Sequence, residues 1–340
     1  MSAALPFPCR ENVLLSEHAT LRLGGPARWF AEPRTLDELR AALSWAAGRG
    51  VRAHILGGGS NTLFLDAGFE GLVVRPSLLG VSWSGSEALV AAGESWDAFT
   101  ALCVEKGLAG VECLSGIPGS VGAAPIQNVG AYGQEVGETL RAVKVLDRTT
   151  LEERSFAASE CRLGYRRSRF KAEDQGRFVV TEVSFKLRED GRPKIAYSEL
   201  ARRLEGSPAL PAVREAVLAL RRSKGMLLDL EDPDSVSAGS FFTNPVLSSE
   251  ALEALKGRLR GAPQFPAPGG VKLSAAWLVE QAGFPKGTRR GGAGVSGKHA
   301  LALVNHGGTA AELLALAAEI REGVFSAFGV RLELEPSVVG

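Results

Sequence analysis

The sequence lacks the features that would place it in several specialised classes of protein. Its 340 residues contain four cysteines, without a CxxC pair or a metal-like spacing, so we expect reduced thiols and neither a disulfide framework nor a metal site. No uncharged apolar run approaches the ~18 residues of a membrane span. The formal net charge is +1, which argues against nucleic acid or an anionic membrane as a partner.

The first residues also lack a targeting signal. Residues 1–8 have no basic segment ahead of a long apolar run, so we expect no signal peptide and a cytoplasmic protein. Hydrophobic residues make up 45% and charged residues 23%, which is ordinary for a soluble globular protein. At ~150 residues per domain, the length suggests two or three domains. The unusual count is 41 glycines, and several of them lie in the motifs described below.

The first part of the chain alternates helix and strand. The capping pattern from Thr35 to Glu38 precedes apolar residues at helical spacing and predicts a helix that stops at Gly48. Residues 51–56 and 72–74 are predicted strands. Residues 95–106 form a second predicted helix. This alternation indicates an α+β or α/β layer.

From about residue 140 the pattern changes to longer strands. Alternation over 179–187 predicts one shared face, made of Val179, Thr181, Val183, Phe185 and Leu187. Other predicted elements are a strand at 143–146, a helix with Pro211 at its first position, a proline-rich loop at 262–270, a helix at 310–328 ended by Gly329, and a closing strand at 330–335.

The first glycine-rich loop, residues 57–61, follows a predicted strand. Gly57, Gly58 and Gly59 allow backbone N–H groups to approach a pyrophosphate, and Ser60 and Asn61 can donate further hydrogen bonds. A tight turn without a ligand is the alternative. The spacing is not the GxGxxG of a Rossmann fold, so that dinucleotide fold is not predicted.

The second glycine-rich loop, residues 115–133, has five glycines, two prolines and almost no charge. A solvated loop would carry charges, so we expect this one to be buried against an uncharged planar group. Gln127 and Asn128 supply amides for the edge of a ring. A buried loop with a purely structural role is the alternative.

Residues 292–298 fit the start of a phosphate-binding GxxxxGK motif. His299 stands where serine or threonine would hold magnesium, and the preceding residues are not a predicted strand. Nucleotide hydrolysis is therefore not predicted. The four histidines show no metal-ligand spacing and are treated as structural or surface residues: His18, His54, His299 and His306.

Three distant segments carry the side chains needed to reduce an activated double bond. Arg166 lies in a basic, aromatic-flanked run that could equally be a solvated loop, and Ser240 follows Gly239, where serine is often a turn residue. Near the end, alternation places Glu333 and Glu335 on one face, and the sequence does not choose between them. Together the segments offer a cation, a proton donor and a carboxylate.

These loops and segments resemble the UDP-N-acetylenolpyruvoylglucosamine reductase family from about Thr20 to Glu335. The resemblance implies an oxidoreductase that uses FAD, with NADPH as hydride donor, to reduce UDP-N-acetylglucosamine enolpyruvate to UDP-N-acetylmuramate for peptidoglycan synthesis. Neither glycine-rich loop contains a histidine or cysteine that could attach the flavin, so we expect non-covalent FAD. The implied cofactor-binding residues are Gly57, Gly58, Gly59, Ser60, Asn61, Ile117, Gly119, Ser120, Gly122, Gln127, Asn128, Gly130, Ala131 and Tyr132.

The resemblance also assigns the reacting residues. It makes Arg166 the cation that stabilises an enolate, Ser240 the proton donor and Glu335, the second glutamate of its pattern, the catalytic carboxylate. The implied substrate contacts are Tyr165, Tyr197 (in a segment typical of one subclass), Lys224, Asn244 and Lys272. Gly225 follows Lys224 where some members have a nearby proline, which leaves the reach of Lys224 open.

The implied fold is α+β, with a two-subdomain FAD-binding fold of the PCMH type and a smaller C-terminal substrate-binding domain. We expect the first FAD-binding subdomain at 1–85 (joined by 329–340), the second at 86–205 and the substrate-binding domain at 206–328. We also expect a monomer that binds a small-molecule substrate. Two alternatives stay open. One is an FAD-dependent alcohol oxidase or dehydrogenase of the same superfamily, and the other is a flavin-free module that binds nucleotide sugars.

Overall fold

The computed structural model describes residues 5–229 and 231–340. The strands, in chain order, are β1 (Cys9–Leu14), β2 (Pro26–Ala31), β3 (Ala53–Ile55), β4 (Thr62–Phe64), β5 (Phe69–Val74), β6 (Val81–Ser84), β7 (Glu87–Ala91), β8 (Gly130–Ala131), β9 (Gln134–Glu135), β10 (Leu140–Asp147), β11 (Glu153–Ala157), β12 (Phe178–Lys186), β13 (Ser237–Ser240), β14 (Val246–Leu247), β15 (Gln264–Ala267), β16 (Gly270–Leu273), β17 (Arg289–Arg290), β18 (Ala293–Val295), β19 (Ala302–Asn305) and β20 (Ser337–Val339). The helices are α1 (Leu36–Gly48), α2 (Trp96–Glu105), α3 (Ser198–Ala201), α4 (Leu210–Ser223), α5 (Ser249–Leu255), α6 (Ala275–Gln281) and α7 (Ala310–Phe328). The expectation about the amino terminus falls partly on residues 1–4, which lie outside the described residues.

The described chain divides into two compact units, each assembled from several segments. The first unit contains the segment that ends at Val13, then Ala27–Gly59 and Phe69–Arg222. The second contains Leu14–Pro26, Ser60–Gly68 and Ser223–Gly340. The finer division at residues 85, 205 and 328 stays a prediction.

The first unit contains a four-stranded sheet in the order β1-β2-β5-β3, with β2, β5 and β3 parallel. Helix α1 has the predicted bounds, and its buried face includes Leu39, Leu43 and Ala46. The hydroxyl of Thr35 accepts a hydrogen bond from the Glu38 N–H, which caps the helix. The short strand β3 leads into the first glycine-rich loop, as the sequence predicts.

The first unit also contains an antiparallel sheet in the order β11-β10-β12-β7-β6. Strand β12 has a bulge, since Val180 pairs with Val145 and Glu182 pairs with the adjacent Lys144. The extra residue, Thr181, reverses the alternation. Val179 therefore packs in the core beside α1, whereas Val183 lies in a different core on the other face. The predicted shared face is therefore confirmed for Val183, Phe185 and Leu187, which lie in one core, and is wrong for Val179.

In the second unit, α7 packs with β18 and β19 of a sheet ordered β13-β19-β18-β17. The helix has the predicted bounds because both of its ends are strongly signalled. Thr309 and Glu312 form a capping box at its start, and Gly329 ends it at a positive φ of 72°. The carboxylate of Asp66 also accepts the N–H groups of Ala310 and Ala311.

Two predictions for the second unit are wrong. The proline-rich segment 262–270 is not a loop, because Pro266 lies in β15. This strand is at the edge of its sheet, where a proline is tolerated because its missing N–H would face solvent. Residues 330–335 do not form the closing strand. Leu334 makes a single bridge with Phe242, and the last strand is β20, parallel to β4.

Candidate active site

Within the first unit, Gly57 and Gly58 of the first glycine-rich loop pack directly against the second loop. A Cβ atom added at Gly58 would lie 2.5 Å from the Cα of Gly119, and one added at Gly57 would lie 2.9 Å from the Cβ of Ala123. Real Cβ atoms do not approach other atoms so closely. The glycines therefore let the two backbones touch, a packing reason that the sequence does not reveal.

The first loop also presents a row of amide groups. Within the described part of the chain, no hydrogen-bond acceptor meets the N–H groups of Gly57, Gly58 and Gly59. Gly59 has a positive φ of 68°. Consecutive N–H groups in such a turn form a concave site for anionic oxygens. This loop therefore fits the diphosphate of a dinucleotide cofactor.

We expect Gly58→Ala to weaken binding of the FAD that the family resemblance implies. The added methyl group would push the two loops apart, and overpacking of this kind costs about 1–3 kcal/mol. The absorbance ratio of flavin to protein and a melting curve measure the effect. Gly48→Ala is the matched control, since a Cβ there has no neighbour within 4 Å. Full FAD content in Gly58→Ala would show that the loop contact is dispensable.

The amide side chains of the second loop hold the loop in shape. Asn128 is buried, donates hydrogen bonds to Glu135 Oε2 at 2.7 Å and to the Gly164 carbonyl at 3.1 Å, and accepts one from the Gly137 N–H at 2.8 Å. The side-chain oxygen of Gln127 accepts from Lys171. Contact of either amide with a flavin edge stays a prediction.

Arg166 lies at the tip of a turn and reaches the second glycine-rich loop. Gly164 and Arg167 exchange two backbone hydrogen bonds, which places Arg166 in the third position of a tight turn. Its φ of 54° is uncommon for a residue other than glycine, and such backbone strain is concentrated at functional sites. The guanidinium donates to the Gly130 carbonyl at 2.9 Å and lies 5.3 Å from the ring centre of Tyr165. The structure thus holds a permanent cation on this loop.

Ser240 and Glu335 lie on neighbouring backbone segments of the second unit. Ser240 ends β13, where it pairs with Ala302 and follows Gly239 at a φ of 71°. The N–H of Glu335 donates to the carbonyl of Phe241, the residue after Ser240, at 3.0 Å. The fold therefore brings a hydroxyl and a carboxylate from distant parts of the sequence to adjacent segments.

Burial distinguishes the two terminal glutamates, which the sequence does not. Glu335 is 8% exposed, whereas Glu333 is exposed. The side-chain amide of Asn61 donates to the Glu335 carbonyl at 3.1 Å, and the Asn61 carbonyl accepts from the Ser337 N–H. A residue expected to bind the cofactor thus also fixes the backbone of the buried glutamate.

The predicted substrate-binding residues are distributed over both units. In the first, Tyr197 is 37% exposed, and its ring meets Tyr132 edge to face at 5.4 Å. In the second, the Asn244 oxygen accepts from the N–H of Ala275 at the start of α6. Lys272 lies on β16, paired with Val246 and Phe265, and Lys224 is half-buried just after α4. Their contacts with substrate stay predictions.

Sequence reasoning missed Arg221. This arginine of α4 is 7% exposed and donates from Nε to the Gly116 carbonyl, at the start of the second glycine-rich loop, at 3.0 Å. Burial lowers its pKa, and a hydrogen bond with Tyr132 opposes that change. The sequence does contain a signal for its burial, because Arg221 follows Val213 and Val217 at a spacing of four residues, on the same face of the helix. An arginine on a buried face needs a specific partner.

Within residues 5–229 and 231–340, no cluster of three or more His, Cys, Asp or Glu side chains could hold a metal ion. No helix in these residues is both long and apolar enough to cross a membrane. Residues 292–298 resemble a phosphate-binding motif in sequence alone. They form β18 and a turn without a following helix, and Lys298 pairs with Asp232 at 2.7 Å.

Comparisons with known proteins identify the family. The C-terminal domain model of UDP-N-acetylenolpyruvoylglucosamine reductase matches residues 232–339, and an FAD binding domain model matches residues 27–150. The UDP-N-acetylenolpyruvoylglucosamine reductase of Thermobifida fusca is 48% identical over 97% of both chains. The chain belongs to this reductase family. The Nocardia farcinica reductase is 49% identical over 97% of this chain and 90% of its own.

A solved reductase structure supports the fold along the whole length. The crystal structure of the reductase from Thermus caldophilus matches with a TM-score of 0.70 and 27% identity, covering 98% of this chain and 100% of its own. The predicted fold class, an FAD-binding fold of the PCMH type followed by a smaller α+β domain, is confirmed. Membership of this family also confirms that the protein is a flavin-dependent oxidoreductase.

Proposed function

We propose that the protein reduces UDP-N-acetylglucosamine enolpyruvate to UDP-N-acetylmuramate with NADPH and FAD. This reaction belongs to peptidoglycan precursor synthesis, on which cell shape and division depend. The observation that carries the proposal is the near full-length match to reductases of this name. The adjacent segments of Ser240 and Glu335 support it, because they supply a hydroxyl proton donor and a carboxyl group for the reaction.

The chemistry that FAD would supply when bound is hydride transfer, from NADPH to the enolpyruvyl substrate. The cofactor would be held by the amide row of the first loop and by the second loop. The proposed contacts are Gly57, Gly58, Gly59, Ser60, Asn61, Ile117, Gly119, Ser120, Gly122, Gln127, Asn128, Gly130, Ala131 and Tyr132.

The protein's own task is to stabilise charge and deliver a proton. When a hydride reaches the terminal carbon of the double bond, negative charge develops on the adjacent carbon and its carboxylate. Arg166 suits this charge because its guanidinium stays protonated and is already fixed by Gly130. Ser240 would then donate its hydroxyl proton to the adjacent carbon and recover a proton from solvent.

We assign Glu335 to a hydrogen bond with the developing enolate. A carboxylate would repel that charge, so this role requires the carboxyl group to carry a proton at that step. The backbone N–H of Glu335 donates to the carbonyl of Phe241, the residue after the proposed proton donor, which supports this assignment. Both residues would therefore act on the same end of the substrate.

The proposed substrate contacts recognise the rest of the nucleotide sugar. Lys224 and Lys272 offer charge to a diphosphate, Tyr165 and Tyr197 offer phenol donors, and Asn244 offers an amide. We further propose that the protein is a cytoplasmic monomer with domains bounded at residues 85, 205 and 328. Its four free cysteines suit a reducing compartment. Light scattering of the purified protein tests the oligomeric state.

The proposal predicts a coupled reaction in solution. NADPH should be consumed in the presence of the enolpyruvyl substrate, and the product should be heavier than that substrate by two hydrogens in a mass spectrum. Omission of either reactant, or replacement of the substrate by UDP-N-acetylglucosamine, should abolish turnover. Oxidation of an alcohol by oxygen without use of NADPH would contradict the proposal.

A further inference from the structure

Glu112 is a buried carboxylate that the proposed mechanism does not use. It is 0% exposed, and its side chain accepts hydrogen bonds from the Gly110 N–H at 2.6 Å, the Gln134 Nε2 at 2.7 Å and the Lys194 N–H at 3.1 Å. All three donors are neutral. A carboxylate buried against neutral donors is costly to dehydrate, so its hydrogen bonds must be well formed.

The buried pair of Glu112 and Gln134 holds the backbone of Lys194 from both sides. Gln134 is 1% exposed, and its oxygen accepts from the Cys113 N–H at 2.8 Å. The Cys113 thiol in turn donates to the Lys194 carbonyl at 3.7 Å. The backbone N–H and C=O of Lys194 are thus both hydrogen-bonded to residues about 80 positions away, next to the second glycine-rich loop.

The segment fixed at Lys194 carries Tyr197. A Cβ at Gly133 would lie 2.9 Å from the Cβ of Ala196, so this segment lies directly along the β8–β9 hairpin. The ring of Tyr197 meets that of Tyr132 on the same hairpin. Tyr197 is therefore held by the contact of its ring with Tyr132. Its segment is also held at Lys194, three residues earlier, by the hydrogen bond to Glu112.

We infer that Glu112 is a positioning residue that orders the 194–197 segment and so places Tyr197 for the substrate. The inference rests on the proposed role of Tyr197 as a substrate contact. A segment ordered before binding spares the substrate the entropy of ordering it, so its loss weakens binding rather than the chemical step. A glutamine at position 112 would turn one accepting oxygen into a donor facing N–H groups.

The test compares Glu112→Gln with Glu138→Gln and with Tyr197→Phe. Glu138 pairs with the exposed ammonium of Lys194, so its variant removes a contact of the same residue without touching the buried pair. We expect Glu112→Gln to raise KM for the enolpyruvyl substrate roughly 10-fold, the effect of losing a hydrogen bond to a charged group. The rate of FAD reduction by NADPH should stay unchanged, and Glu138→Gln should behave as wild type.

Thiol labelling gives a readout that is independent of catalysis. Burial raises the pKa of Cys113 to about 12, and its thiol contacts the Lys194 carbonyl and packs in one cluster with Ile195. Glu112→Gln should accelerate labelling of Cys113, mapped by mass spectrometry, while the buried Cys161 stays protected. If the variant does not fold, Glu112→Asp, which keeps the charge but shortens the side chain, takes its place with the same expected directions.

The double variant with Tyr197→Phe separates the possible failures. If Tyr197→Phe raises KM and Glu112→Gln adds little to it, the inference holds, because both act through one contact. If Tyr197→Phe raises KM and Glu112→Gln does not, the inference is overturned while the proposed function stands. Unchanged labelling of Cys113 also overturns it. An unchanged KM in Tyr197→Phe would show that the tyrosine hydroxyl does not bind the substrate, which also overturns the inference.

Discussion

Ser240→Ala should leave the reduction of FAD by NADPH at the wild-type rate and slow the reaction with the enolpyruvyl substrate by about 100- to 10,000-fold. The first half-reaction needs no proton from the protein, whereas the second ends with a proton transfer to carbon. Stopped-flow absorbance of the flavin band measures each half-reaction separately. Ser240→Cys should retain part of the lost rate, because a thiol can also donate a proton.

The neighbouring Ser237 supplies the control for this experiment. Its hydroxyl oxygen accepts from the Gly239 N–H at 3.1 Å and it is buried, so Ser237→Ala should lower the melting temperature without separating the half-reactions. If Ser240 were a turn residue as well, its alanine variant would resemble the Ser237 variant. A slow first half-reaction in well-folded Ser240→Ala would rule out the proton-donor assignment.

Glu335→Gln should lower turnover by about 100- to 1,000-fold, because an amide N–H is a much weaker acid and hydrogen-bond donor than a protonated carboxyl group. Glu333→Gln should change turnover by less than about twofold, since substitutions at exposed positions seldom matter. The two glutamates make a matched pair, because one is 8% exposed beside Phe241 and the other is exposed two residues away. Steady-state assays of both variants decide the assignment. A larger loss in Glu333→Gln would contradict it.

The elements that could be predicted from sequence are those with local signals at their ends. Helix α7 begins at a capping box and ends at a glycine, so both bounds follow from the residues themselves. Helix α1 is similar, with Thr35 as its cap. The β12 bulge could not be predicted, because it depends on pairing with β10, more than 30 residues earlier. Pro266 predicts a loop from sequence alone, because the sequence does not show that its strand lies at the edge of a sheet.

In the candidate site, too, features with a local sequence signal could be predicted and contacts between distant segments could not. The glycine-rich loops could be located from composition, but the contact between Gly58 and Gly119 joins segments that are distant in sequence. The role of Glu112 depends on Gln134 and Lys194, which lie 22 and 82 residues further along the chain. Alternation could not choose between Glu333 and Glu335, because the backbones of both bond to the 241–243 segment and yet only Glu335 is buried. Long-range partners carry this information.

The most direct measurement of the central claim is the visible spectrum of the purified protein through one cycle without oxygen. One equivalent of NADPH should bleach the flavin band of the yellow protein. Addition of UDP-N-acetylglucosamine enolpyruvate should then restore the colour and yield UDP-N-acetylmuramate. A bleached protein that recovers its colour with oxygen but not with this substrate, or a protein that carries no flavin, would contradict the proposed function.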